Sequence, residues 1–307
     1  MKIPYFDAHC DTVSMGLNSE NSLCRNTCHI DLDRGLALGR YAQFFALFGE
    51  VNEVPTGRMW DVCCNMHQRL SRELAENSEI VALCRTSEEI DSTVSSGKIA
   101  AMLSIESADL LDCRIERIET VADWGVRFLN LTWNDPNIIS GTNCREMERG
   151  LSHHGKDFVR ELERNGIYAD VSHLSDAGFW DLIKMVRRPI VASHSNARAL
   201  CGHSRNLTDD MFCAIRDSGG VVGLNFYRNF VGSSGDMNAL IAHMEHFLAL
   251  DGEKTVCFGS DMDGCAPLVV GIDGLQSIPK LYEQLRQRGY SESLLEDIFW
   301  NNLRRLF

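Results

Sequence analysis

The 307-residue sequence predicts an α/β fold, a single-domain (β/α)8 barrel of the TIM type that takes in residues 1–307. Short apolar runs alternate with helix-patterned stretches along the whole chain, and there are eight such strand–helix units. Runs such as Ala100–Leu103 and Val221–Leu224 are continuously apolar, which is typical of parallel strands covered on both faces. No linker, repeat or low-complexity segment divides the chain.

The elements can be assigned in chain order. Strands are predicted at Tyr5–Asp11, Tyr41–Phe48, Ile99–Glu106, Val126–Trp133, Ile167–His173, Pro189–His194, Gly220–Phe226 and Thr255–Asp261, with an additional short strand at Ile80–Cys84. Helices are predicted between them at Met59–Asn77, Gly155–Asn165, Asp176–Val186, Asp236–Leu250 and Ile278–Arg288. A doubly wound open sheet is the alternative fold, but no Gly-x-Gly-x-x-Gly turn follows the first strand.

The charge balance excludes two classes of partner. The formal net charge is −13, whereas binding to nucleic acid or to an anionic membrane needs clustered basic side chains. No apolar stretch approaches the roughly 20 residues that span a bilayer, and Met1–Asp7 lacks the pattern of a secretory signal. We therefore expect a cytoplasmic protein that binds neither nucleic acid nor membrane.

The twelve cysteines are scattered, so we expect reduced thiols. Cys24, Cys28 and His29 resemble part of a zinc ligand set, but no second pair follows at zinc-finger spacing. We interpret this group as structural.

Polar residues interrupt the predicted strands where they end. The first strand ends in His9 and Asp11, and Glu106, His173 and His194 end three others. Because the carboxyl ends of barrel strands meet at one mouth, these side chains are expected to lie together there. Imidazole and carboxylate groups are ligands that Zn²⁺ takes in proteins. The sequence therefore predicts a metal centre at the mouth of the barrel.

Five ligands are too many for one catalytic zinc with an open position, but they suit two ions that share a ligand. Ions in two-metal sites lie roughly 3.5–4 Å apart, a gap that one carboxylate spans with its two oxygens. Glu106 is the predicted bridge. Two Zn²⁺ would balance Asp11, Glu106, Asp261 and a bridging hydroxide, which avoids an uncompensated buried charge.

These residues also lie in segments that resemble the membrane (renal) dipeptidase family, a group of amidohydrolase-like barrel metalloenzymes. The matching segments occur in family order over nearly the whole chain. They are Phe6–Thr12, Ser104–Glu106, Asp170–His173, Ala192–Ser195, Arg205–Asp210, Asn225–Tyr227 and Gly259–Gly264.

The resemblance implies a binuclear zinc dipeptidase. His9, Asp11 and Glu106 would hold one zinc, and Glu106, His173 and His194 the other. Asp261 resembles the catalytic acid and base of the family, and Arg205 the residue that binds the terminal carboxylate of the dipeptide. Asp263 is the nearby competitor of Asp261, which we prefer because it comes directly off its strand.

One position departs from the family pattern. Some members carry a substrate-binding histidine after the fourth strand, where this chain has Trp133 and Asn134. Asn134 could donate a hydrogen bond to the substrate, and Trp133 could either shape the pocket or pack in the core. The adjacent His153 and His154 lie near a predicted helix start and are interpreted as solvated.

The resemblance implies that a hydroxide between the zinc ions attacks the peptide carbon while Asp261 transfers the proton to the departing amine. Bacterial relatives often cleave dipeptides with a C-terminal D-residue. Two alternatives remain at this stage: another hydrolase of the same group, acting on a cyclic amide, lactone or phosphoester, and a catalytically silent metal-binding homologue. A homodimer is compatible with the sequence, although the patterning identifies no interface.

Overall fold

Nine parallel strands form one sheet in the part of the chain that the computed structural model describes, residues 2–15, 22–50 and 57–307. The strands are β1 Ile3–Cys10, β2 Gly39–Leu47, β3 Val81–Leu83, β4 Ile99–Ile105, β5 Val126–Asn130, β6 Tyr168–Asp170, β7 Val191–Ala192, β8 Val221–Leu224 and β9 Val256–Phe258. Strand β2 pairs with both β1 and β4, and β9 pairs with both β8 and β1. Eight strands are thereby closed, which confirms the predicted barrel.

The additional short strand is β3. It pairs with Ile99–Ala101 at the start of β4, whereas β5 pairs with Leu103–Ile105 further along. Because β2 occupies the other edge of β4, β3 and β5 share one edge. Strand β3 therefore extends the wall of the barrel without entering the closed ring.

Helices surround the barrel, and many begin at a side-chain cap. Ser152 Oγ accepts the N–H of Gly155 at 3.0 Å, and Thr208 Oγ1 accepts that of Met211 at 3.2 Å. The helices are α1 Thr12–Met15, α2 Leu32–Leu38, α3 Met59–Glu76, α4 Ser87–Ser95, α5 Ile118–Trp124, α6 His153–Arg164, α7 Asp176–Ile183, α8 Asp209–Asp217, α9 Met237–Leu248, α10 Ile278–Gln287, α11 Glu292–Glu296 and α12 Asn302–Arg304. The five helices predicted from periodicity are confirmed as α3, α6, α7, α9 and α10.

Among the residues described, none of the helices combines the length and apolar character needed to cross a bilayer.

Aromatic rings fill the barrel at the amino ends of its strands. The rings of Phe44 and Phe128 stack with their centroids 4.2 Å apart, and Phe6 stacks on Phe44 at 6.0 Å. The ring centroid of Phe307 lies 5.6 Å from that of Phe44 and 6.0 Å from that of Tyr168. These rings form an apolar floor beneath the polar residues at the carboxyl ends.

Several strands are shorter than predicted at these carboxyl ends. The sequence predicts a strand at Pro189–His194, but β7 retains two residues. Beyond it, the N–H of Ser193 donates to Asp170 Oδ1 and that of His194 to Ser172 Oγ, each at 3.0 Å. Side chains thus replace the strand ladder just where the predicted site residues begin.

Candidate active site and metal centre

The five predicted metal ligands lie together at the mouth of the barrel. His9 is the penultimate residue of β1, Asp11 directly follows that strand, and Glu106 directly follows β4. His173 and His194 follow β6 and β7. Each of the five is buried, with no more than 5% of its surface exposed. The structure therefore brings together residues that are up to 185 positions apart in the sequence, from His9 to His194.

Glu106 stands between two groups of predicted ligands. Its Oε2 lies 3.5 Å from His9 Nε2, whereas its Oε1 lies 3.0 Å from His173 Nε2 and 3.6 Å from His194 Nε2. The two histidine nitrogens on the Oε1 side are 3.1 Å apart. One carboxylate oxygen of Glu106 therefore faces the His9 imidazole, and the other faces the two remaining imidazoles.

Asp11 and Asp261 complete the side of the cluster that contains His9. Asp11 Oδ2 lies 3.2 Å and Asp261 Oδ1 3.9 Å from His9 Nε2. Ligand atoms of these three residues lie within 4.8 Å of one another, as do those of His9, Glu106 and His194. These are distances at which several side chains can share one ion.

The burial of these groups shifts their pKa values. Burial, together with the charge of Glu106, raises the pKa of Asp11 to about 7. Burial lowers the pKa of His173 to about 4 and also lowers that of His194. Burial acts in the same direction on His9, but the carboxylates of Glu106 and Asp11 outweigh it and raise its pKa. The cluster thus concentrates carboxylates and imidazoles that cannot all carry their ordinary charges.

The residues fit a pair of divalent cations. Nitrogen and carboxylate donors suit zinc, and Asp11 Oδ1 is buried without a hydrogen-bond partner among the described residues. Gly264 leaves room for these carboxylates, since a Cβ at that position would lie 2.0 Å from Asp11 Oδ2 and 2.6 Å from Asp261 Oδ1. The donor set and the space around it are therefore suited to metal binding.

The structure separates the two candidates for acid and base. Asp261 lines the cavity at the mouth of the barrel, and burial raises the pKa of its carboxyl group. Asp263 is not among the cavity-lining residues. It accepts hydrogen bonds from Thr12 Oγ1 and from the backbone N–H of His29, both at 2.6 Å. Asp263 is thus engaged in holding the segment around His29 against the barrel.

Arg205 also lines this cavity and is 3% exposed. Its Nη1 is buried and has no hydrogen-bond partner in the described residues. The guanidinium carbon lies 5.5 Å from the centroid of the Phe230 ring. A buried guanidinium with an unused donor is suited to binding an anionic group.

The cavity has a volume of about 450 Å³, which is within the usual range for small-molecule sites. Trp133 lines it and packs against Phe48, with ring centroids 4.9 Å apart. Of the two interpretations of Trp133, a pocket wall and a core residue, the structure places it in the pocket wall. The lining residues also include Met15, Glu50, Asn134, Cys144, His203, Tyr227, Phe230, Cys265 and Ala266.

Asn134 and Asn225 have contacts that the sequence does not reveal. Asn134 Oδ1 lies 3.0 Å from Nδ1 of His173 and can accept a hydrogen bond there, which leaves its Nδ2 as the group that could donate to a substrate. Asn225 donates from Nδ2 to Oδ2 of Asp261 at 2.9 Å. Asn225 directly follows β8 and lies in one of the segments that resemble the dipeptidase family. Its position at a strand end could therefore have identified it as a site residue.

Two other groups named from the sequence lie apart from the site. His153 and His154 begin α6 and do not line the cavity, and His154 Nε2 lies 2.7 Å from the carbonyl oxygen of Cys113. Cys24 and Cys28 belong to none of the candidate metal-ligand groups among the described residues. The cysteines that the structure describes are all free thiols.

Comparison with known proteins places this site in a family context. The model of the membrane dipeptidase family (peptidase family M19) matches residues 1–307. A relative from Klebsiella pneumoniae, described as an uncharacterized protein in the pqqA 5′ region, is 32% identical over 77% of this chain and 92% of its own length.

Solved structures give the same result. The crystal structure of dipeptidase AC, an M19 metallopeptidase, superposes with a TM-score of 0.89 at 27% identity and covers 100% of this chain and 98% of its own. A metallopeptidase from Rhodobacter sphaeroides gives a TM-score of 0.87 at 27% identity, over 100% of this chain and 99% of its own. That protein is liganded with a phosphinate mimic of the dipeptide L-Ala-D-Ala.

Proposed function

The chain belongs to the membrane dipeptidase family and is a metallo-dipeptidase, and we propose that it uses two Zn²⁺ ions bridged by Glu106. His9, Asp11 and Glu106 would hold one ion, and Glu106, His173 and His194 the other. The observation that carries this proposal is the division of the Glu106 carboxylate, since Oε2 faces His9 and Oε1 faces the other two imidazoles.

When bound, the two ions would lower the pKa of a water molecule to near neutrality and would polarise the carbonyl of the scissile bond. Asp261 is the group that moves the proton. Its Oδ2 is held by Asn225, and its Oδ1 faces His9 Nε2 at 3.9 Å. The carboxylate takes the proton of the attacking water and delivers it to the amine that leaves.

Arg205 binds the C-terminal carboxylate of the substrate. The buried guanidinium offers an unused Nη1 to the cavity, and its planar fork matches a carboxylate. A longer peptide has an amide in place of this carboxylate and cannot make the same ion pair. The site therefore selects dipeptides with a free C-terminus.

Dipeptides with a C-terminal D-residue are included in the proposal. The Rhodobacter sphaeroides structure, which matches this chain over its full length, holds a mimic of L-Ala-D-Ala. In this chain Trp133 and Phe48 form one cavity wall, and Tyr227 and Phe230 also line the cavity. These apolar surfaces suit small side chains on both halves of a dipeptide.

The test is steady-state hydrolysis of a panel of L,L- and L,D-dipeptides, with zinc per chain measured on the same sample. Turnover with two zinc ions, abolished by a chelator and restored by metal, is the expected result. Two zinc ions without turnover would point to a cyclic amide, lactone or phosphoester substrate or to a silent homologue. A protein that binds no zinc would contradict the proposed centre.

Two neighbouring aspartates provide a matched pair of variants. Asp261→Asn should keep its zinc and lose about 10²- to 10⁴-fold in kcat, because the amide cannot accept the proton. Asp263→Asn lies two positions away but outside the cavity, so it should keep kcat while losing some stability. Equal kcat losses in both variants would remove Asp261 from the proposed role.

A further inference from the structure

Two fully buried aspartates lie beside the site without lining the cavity or belonging to the ligand groups. Asp7 is in β1 and Asp170 ends β6, and their exposures are 0% and 1%. A buried carboxylate is costly unless its oxygens accept hydrogen bonds. Their partners therefore indicate why these residues are present.

Asp170 joins the ends of two neighbouring strands. Its Oδ1 accepts the backbone N–H of Ser172 at 2.9 Å and that of Ser193, beyond β7, at 3.0 Å. Each of these serines directly precedes a predicted zinc ligand, His173 or His194. Asp170 Oδ2 has no hydrogen-bond partner among the described residues, so Oδ1 alone makes both bonds.

Asp7 makes the same arrangement on the other side of the barrel. Its Oδ1 accepts the backbone N–H of His9 at 3.2 Å and that of Ser260, beyond β9, at 2.8 Å. Ser260 directly precedes Asp261, and the remaining oxygen of Asp7 accepts the hydroxyl of Tyr5 at 2.9 Å. The pairing of β1 with β2 shifts register between Asp7 and Cys10, so these bonds lie where the ladder is irregular.

The residues that follow two of these anchored amides have a strained backbone. His173 has φ +74° and Asp261 has φ +59°, in the left-handed region that residues other than glycine rarely adopt. Such conformations persist only where the surroundings impose them. In both cases an aspartate carboxylate fixes the amide of the preceding serine, Ser172 or Ser260.

We propose that Asp7 and Asp170 are positioning residues, each of which orients at least one ligand of a different zinc site. Through their Oδ1 atoms, Asp7 sets His9 together with the neighbouring Asp261, and Asp170 sets His173 together with His194. The inference rests on the two-zinc centre proposed above. It adds that the two sites have separate supports, which can be weakened one at a time.

The test measures zinc affinity at one site in isolation. His9→Ala removes a ligand of the first site, so the zinc retained by this variant reports the second. The double variant His9→Ala/Asp170→Ala should lose that zinc at a chelator concentration at least about tenfold lower than His9→Ala alone. For the double variant His9→Ala/Asp7→Ala, the chelator concentration that removes the zinc should stay within about twofold of that for His9→Ala alone. In a His194→Ala background the two aspartates should exchange these effects.

Three further variants separate positioning from charge and from general stability. Asp170→Asn retains an Oδ1 acceptor and should keep the wild-type zinc affinity. If Asp170→Ala does not fold, Asp170→Ser carries the same expectation, because its hydroxyl is too short to reach both amides. Asn302→Ala removes hydrogen bonds of 2.8 Å to the carbonyls of Glu253 and Val256 at the other end of the barrel. It should lower stability and leave zinc affinity unchanged.

The outcomes are distinguishable. The inference is overturned if Asp170→Ala lowers the zinc affinity of both sites equally or of neither site. It is also overturned if Asp170→Asn lowers zinc affinity as much as Asp170→Ala does. If the wild type binds two zinc ions and hydrolyses dipeptides in such an experiment, only the inference fails. If the wild type binds no zinc, the proposed centre and the inference fail together.

Discussion

Asn225 holds the carboxylate of Asp261 by a 2.9 Å hydrogen bond from Nδ2 to Oδ2. The asparagine is itself fixed, because its Oδ1 accepts the N–H of Tyr227 at 2.6 Å and its backbone N–H donates to Asn196 Oδ1 at 3.0 Å. Asp261 therefore cannot rotate freely, and its Oδ1 stays on the side of His9.

Asn225→Ala should lower kcat about 10- to 100-fold, the value of a hydrogen bond to a charged group. KM and zinc content should change little, because Asn225 is neither a proposed ligand nor among the cavity-lining residues. Steady-state kinetics with zinc analysis test this, with Asn302→Ala as the control for lost stability. Loss of zinc in parallel with activity would instead assign Asn225 to the support of the metal centre.

Arg205→Ala should raise KM for dipeptides about 10- to 100-fold, because the substrate carboxylate loses a charged donor. Dipeptide amides provide the internal control. The wild type should discriminate strongly against them, and Arg205→Ala should treat the acid and the amide nearly alike. A variant that keeps the wild-type preference for the free acid would exclude Arg205 as the carboxylate partner.

Gly264→Ala should reduce both zinc affinity and kcat. The added Cβ would lie 2.0 Å from Asp11 Oδ2 and 2.6 Å from Asp261 Oδ1, so both carboxylates must move. We expect at least about a tenfold loss in zinc affinity, comparable to losing an outer support. Gly202→Ala is the matched control, since no atom lies within 4 Å of the added Cβ, and it should behave as the wild type.

Phe44→Ala should lower the free energy of unfolding by about 3–5 kcal/mol. The ring is fully buried and stacks on Phe6 and Phe128, so its removal leaves a cavity in the barrel floor. Leu200→Ala, at a side chain 46% exposed, should stay within about 0.5 kcal/mol of the wild type. Denaturant unfolding of the zinc-free proteins compares the two.

His243 should cause the free energy of unfolding to decrease as the pH is lowered below about 6.5. Burial lowers the pKa of this imidazole to about 4, and the nearby His246 acts in the same direction. Nδ1 accepts the N–H of Ala197 at 3.0 Å, so the folded state holds the neutral ring. The unfolded chain binds the proton near pH 6.5. Stability is therefore complete above this value and declines as the pH falls toward 4.

The size of this effect is at most about 3 kcal/mol between pH 6.5 and 4. It can be measured as the free energy of unfolding of zinc-free protein over this range. His243→Asn should flatten this part of the profile at the cost of a constant loss from the smaller side chain. An unchanged slope in the variant would show that other groups produce the acid sensitivity.

The sequence predicts the barrel and the gathering of His9, Glu106 and His194, because both follow from local patterns. Continuous apolar runs identify parallel strands, and the carboxyl ends of such strands meet whatever the details of the loops. The order of the segments is then enough to bring these side chains to one mouth.

Contacts that depend on register could not be predicted in this way. Asp170 and Ser193 are 23 positions apart, and Asp7 and Ser260 are 253 apart. Their hydrogen bonds depend on where each ladder stops and on the irregularity in β1. Similarly, the acceptor role of Asn134 depends on the ring orientation of His173, which no spacing in the sequence encodes.

The aromatic floor of the barrel affects how molecules reach the site. Phe44, Phe128 and Phe307 close the amino end beneath the ligands, so in the described part of the chain the ions and the substrate share the mouth as their route. In the proposed centre, a dipeptide bound in this cavity would stand between the ions and the solvent. Metal exchange should therefore be slower in protein saturated with substrate or a substrate mimic than in free protein.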